Sequence, residues 1–138
     1  MMVPVKIERI VANEVTQPAN DGSLGSALYK VPIKLDQRPD QVWSEIFVRS
    51  WDRPPQWTSM HRPGIASVEG DRIILDGTTL EEIQKYHRDT LKLVVEEANA
   101  EYAAAREQSK AQETQARQRA EAYREHVKRL AEEIDFDD

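Results

Sequence analysis

The sequence predicts an α+β fold: a small antiparallel sheet of about four strands in ββαββα order, with helices on one face and a long C-terminal helix extending beyond the domain. Three observations carry this reading. All seven prolines fall at or before Pro63 and all five glycines at or before Gly77, so the first part of the chain is turn-rich. Within that part, stretches with a period of two alternate with stretches with a period of three to four. From Thr78 to Phe136 the sequence holds neither Gly nor Pro, which is the composition of one uninterrupted helix.

Val3, Val5 and Ile7 alternate with polar or proline positions and define a first strand, bulged near Glu8 or Arg9 before Ile10 and Val11. Residues 13–26 contain Asn20-Asp21-Gly22-Ser23 and Gly25-Ser26, a turn-forming cluster expected as an exposed, mobile hairpin connection. Tyr29, Val31, Ile33 and Leu35 then alternate with Leu28, Lys30, Pro32 and Lys34, a strand whose proline places it at a sheet edge. Arg38-Pro39-Asp40 offers proline in a first helical turn and an acid near the positive end of the helix dipole. The helix opened there runs to about Trp51, with Val42, Trp43, Ile46, Phe47 and Trp51 as its buried stripe.

Pro54-Pro55 ends that helix, and residues 56–64 form a loop with a tryptophan, a methionine, His61 and Arg62. Residues 65–68 and 72–75 flank Glu69-Gly70-Asp71, whose glycine can take the positive φ of a tight hairpin. Asp76-Gly77 turns the chain, Thr78 or Thr79 caps, and Glu81 or Glu82 supplies the reciprocal half of a capping box. Leu80, Ile83, His87, Leu91, Val94, Ala98 and Tyr102 recur at helical spacing, so about 25 residues, roughly 37 Å of helix, can lie on the sheet.

The domain accordingly divides as a compact α+β part over residues 1–102 and a helical extension over residues 103–138. In residues 103–122 the only apolar residues are alanines, the composition of a polar spacer. Tyr123, Val127, Leu130 and Ile134 then recur at spacings of four, three and four, with Phe136 beyond them. A fold-back through a break at residues 108–114 would cover this second stripe, as would a partner helix.

Composition narrows the function classes. The net charge of -6 argues against a general nucleic-acid or anionic-membrane binder. The absence of cysteine excludes a thiol nucleophile, a disulfide framework and Cys-ligated metal, and fits a reducing compartment, so a cytoplasmic location is expected. No stretch of eighteen apolar residues and no apolar signal core occurs. No Gly-rich phosphate loop, nucleophile elbow or His-Glu-x-x-His is present, so no catalytic, cofactor or metal residue is assigned. On its own helix, His87 has Ile83, Gln84, Thr90 and Leu91 three and four residues away, and a hydrogen bond to Gln84, Thr90 or water is expected. The leading expectation is a non-enzymatic interaction or oligomerisation module that binds a protein partner or its own copy through Tyr123, Val127, Leu130, Ile134 and Phe136. The alternative is an anion or nucleic-acid site built from Arg49, Arg53, Trp57, His61 and Arg62.

Overall fold

A computed structural model describes residues 1–137 of the chain. Strands β1 (Ile7–Ile10), β2 (Tyr29–Leu35), β3 (Ala66–Glu69) and β4 (Arg72–Thr78) form one antiparallel sheet in the order β1-β2-β4-β3. Helix α1 (Gln41–Asp52) joins β2 to β3. Helix α2 follows β4 in three continuous parts: an α turn Leu80–Glu82, a π-helical segment Ile83–His87 and a long α stretch Arg88–Glu133. The α+β class, the strand order in sequence and the long C-terminal helix are those the sequence pattern predicts.

The register explains which residues make the core. Val31 lies opposite Leu75 and Ile33 opposite Ile73 on the β2–β4 ladder, and Ala66 opposite Leu75 on the β3–β4 ladder. Directly opposed residues share a face, so these side chains form one apolar surface. Trp43, Ile46, Phe47 and Trp51 of α1 join them in a single cluster with Ile83, Leu91, Val94, Val95, Ala98 and Tyr102 of α2. The rings of Trp43 and Phe47 stack at 5.4 Å with 7° between their planes. Leu80, the first residue of the expected stripe, remains exposed.

Several local expectations are corrected. Pro32 sits on an interior strand, because β2 pairs with both β1 and β4. The missing donor is harmless there: Val11 donates to the Pro32 carbonyl at 3.0 Å, and just beyond Val11 the chain leaves the sheet through a 3-10 turn at Ala12–Glu14. The first strand starts at Ile7 and not at Val3, while its bulge between Ile7 and Arg9 lies where the pattern placed it. Asp40 is the N-cap of α1, its carboxylate accepting from the Trp43 N–H at 3.0 Å, so Pro39 lies outside the helix. Thr79 caps α2 by accepting from the Glu82 N–H, while the Glu82 carboxylate turns away to Thr78 and Arg62 instead of closing a capping box. Gly70 takes φ +60° at the β3–β4 turn.

One polar side chain ties the N-terminal segment to both helices. Asn99 of α2 accepts from the Val5 N–H and the Trp43 indole N–H, both at 2.9 Å, and donates to the Val5 carbonyl at 3.0 Å. Met1–Ala103 form one compact unit and the chain from Ala104 onward a second. In the second unit the helix is unbroken through residues 108–114, where a fold-back would need a break, and it ends at Glu133, three residues before Phe136. Every described residue from Ala103 on is exposed. No helix among the described residues is long and apolar enough to cross a membrane.

Candidate functional site

The loop after α1 is held by a network that begins with the Trp51 indole. Trp51 is fully buried; its Nε1–H donates to the Arg62 carbonyl at 2.9 Å, and its own carbonyl lies 2.6 Å from His61 Nε2. The Nδ1 of His61 is shut off from solvent. With Nε2 donating to Trp51, Nδ1 is an acceptor without a partner. The imidazole is packed between Trp51, with centroids 4.5 Å apart, and the edge of Trp57 at 5.0 Å. Trp57 itself is 58% exposed.

Arg62 points the other way, toward the start of α2. Its guanidinium grips both Glu82 oxygens at 2.8 Å and donates to the Gly77 carbonyl at 3.0 Å. Thr78 donates its hydroxyl to the same Glu82 carboxylate at 2.9 Å. The planar fork of arginine matches a carboxylate in this two-pronged way, which lysine cannot do. The loop is therefore pinned to the hairpin end and to the first turn of α2 by one arginine.

His87 lies beneath this pair, fully buried, with neither ring nitrogen hydrogen-bonded. The expected bonds to Gln84 or Thr90 are absent; the Thr90 hydroxyl instead lies 3.5 Å from the Tyr86 carbonyl. The nearest charged group is Glu82, whose Oε1 is 4.0 Å from His87 Nε2. In a regular α-helix a residue five positions back points well away, since each step turns about 100°. The π-helical turn, in which Arg88 N–H bonds to Ile83 O, widens the helix and brings Glu82 and His87 to one side. Desolvation pushes the His87 pKa below its ordinary 6.5; Glu82 pulls it back up, and His61 and Arg62 push it down. His87 is a neutral, buried imidazole. Among the described residues no group of three or more His, Asp or Glu could hold a metal ion.

The five residues of the anion-site expectation thus divide. Trp57 and His61 meet edge to face, and Arg62 leaves them for Glu82. Arg49 pairs with Glu101 at 2.9 Å, and Arg49 and Arg53 line a shallow concavity beside β3 together with Glu45 and Asp52. Two of the three arginines are matched by carboxylates.

A groove missed by the sequence reading runs between the β1 region and α2 with a volume of about 900 Å³. Its floor includes Ile7, Ile33, Leu91 and Val95, and Lys6, Arg9, Arg88 and Lys92 line it against the one carboxylate of Glu96. The signal was present in the sequence as Arg88, Lys92 and Glu96 at spacings of four beside the apolar stripe. What could not be read was which strand would lie against them.

In the second unit, the helical face expected to bind a partner is open. Tyr123 is 68%, Val127 44% and Leu130 48% exposed. Ile134 and Phe136, at 59% and 93%, follow the last helical residue, so the apolar run continues past the helix end. Ala116 and Ala120 extend the same spacing of four and three toward the N-terminus; one step further the positions hold Glu113 and Ser109. The seam is therefore bounded, from Ala116 to Ile134.

The chain has no significant match among protein-family models, curated proteins or solved structures.

Proposed function

We propose that this protein is a non-enzymatic interaction module that associates with a protein through the distal part of α2. One observation carries the reading: Tyr123, Val127 and Leu130 recur at coiled-coil spacing on the distal part of α2, where every described residue from Ala103 on is exposed, and Ile134 and Phe136 continue the apolar run just past the helix end. At about 25 cal/mol per Å² of apolar surface, covering these side chains contributes several kcal/mol to association. The surrounding helix supports the reading through composition, since residues 103–122 offer only alanines and polar residues and give the helix no other face to bury. The anion-binding alternative has less support, because Arg62 and Arg49 are each matched by a carboxylate.

Hydrogen exchange at low and high protein concentration tests this. Association through the seam protects amides of residues 116–134 as concentration rises, while the first unit is unchanged, and Leu130→Asp removes the added protection. Exchange in that segment that is fast and independent of concentration in both proteins contradicts the reading.

A further inference from the structure

Resting on the reading that this seam is an interface, we propose that its partner is a second copy of the chain, docked antiparallel. The seam is graded in size along its length: Ala116 and Ala120 at one end, Tyr123 and Val127 in the middle, Leu130 and Ile134 at the other. Two helices at constant separation need layers of similar total volume, because interiors are close-packed. An antiparallel pair provides this. Ala116 meets Ile134 of the second copy, Ala120 meets Leu130, and Tyr123 meets Val127, each contact occurring twice about the dyad. A parallel in-register pair instead sets alanine on alanine at one end and leucine on leucine at the other.

Charge selects the same arrangement. The residues beside the seam are Arg117, Arg119, Arg124 and His126 over most of its length, whereas its last turn carries Glu133, followed by Asp135 and Asp137. Antiparallel docking lays this acidic end on the basic stretch of the other copy and places Arg119 beside Glu133, twice. Parallel docking places Arg119 beside Arg124 and gathers the acidic ends together. At the dyad Arg124 meets its own copy on one flank and His126 its own copy on the other, both at exposed edges where repulsion is weak.

The test is sedimentation equilibrium of the intact chain and four variants, each checked by circular dichroism for unchanged helix content. The wild type is expected to form a concentration-dependent dimer of twice the 15.9 kDa chain mass. Leu130→Asp abolishes it. Arg119→Glu and Glu133→Arg each weaken it on the order of tenfold, because two attractive pairs become repulsive, and the double exchange restores affinity to near wild type. A parallel dimer reverses the sign for Arg119→Glu, which then faces Arg124 and tightens association. That result, or a double exchange that fails to restore, overturns the antiparallel assignment while a dimer lost in Leu130→Asp keeps the interface itself. A wild type that stays monomeric overturns the second copy as partner, and a dimer indifferent to Leu130→Asp removes the interface reading as well.

Discussion

Replacing Arg62 with alanine removes two charge-assisted hydrogen bonds to Glu82 and one to the Gly77 carbonyl. Glu82, whose side chain is 14% exposed, is left with the Thr78 hydroxyl and the uncharged ring of His87. Breaking a fully buried ion pair by deleting one partner costs about 3–5 kcal/mol. Since the Arg62 side chain retains 29% exposure, solvent screens part of this, and a loss of about 2–3 kcal/mol is expected at pH 7. The pH dependence gives a second readout. His87 has a folded pKa below 6.5, so the unfolded chain binds its proton first; stability is full above about 6.5 and declines as the pH falls below it, by at most about 1.4 kcal/mol per unit. Arg62 contributes to that depression, so its removal returns the His87 pKa toward 6.5 and makes the decline shallower. The penalty of Arg62→Ala therefore shrinks between pH 7 and pH 5.5. Urea unfolding followed by tryptophan fluorescence measures both, because Trp43 and Trp51 are fully buried in this unit. A loss under about 0.5 kcal/mol, or a penalty that grows on acidification, refutes the coupling of Arg62, Glu82 and His87.

Asn99→Ala leaves the Val5 backbone groups and the Trp43 indole N–H without their partner and is expected to cost about 2–3 kcal/mol in the same urea assay; a cost below about 1 kcal/mol would show that Asn99 does not brace the N-terminal segment. Gly70→Ala meets no atom within 4 Å, so its expected cost of about 1–2 kcal/mol comes from the +60° φ alone, and a thermal melt showing no decrease would contradict the turn geometry.

What the sequence made legible was local. Glu69-Gly70-Asp71 between two apolar runs specifies its hairpin without reference to the rest of the chain, and the absence of Gly and Pro after Gly77 specifies the long helix. The periodicity of Tyr123, Val127 and Leu130 was equally readable, since these residues lie within one continuous helix. Pro32 was misplaced because a proline is tolerated wherever its absent N–H meets a departing strand, and that depends on where β1 ends. The network of Arg62, Glu82 and His87 joins residues from a loop and a helix through a π-turn, so helical spacing counted in threes and fours pointed His87 at the wrong neighbours. Asn99 gave no signal, as its partners lie 94 and 56 positions away.

The most direct test of the account is light scattering on the intact chain as it elutes from a sizing column, over a hundredfold range of concentration. An interface at Tyr123, Val127, Leu130 and Ile134 predicts a mass that rises from 15.9 kDa toward twice that value and that Leu130→Asp holds at 15.9 kDa. A mass of 15.9 kDa for the wild type across the whole range contradicts it.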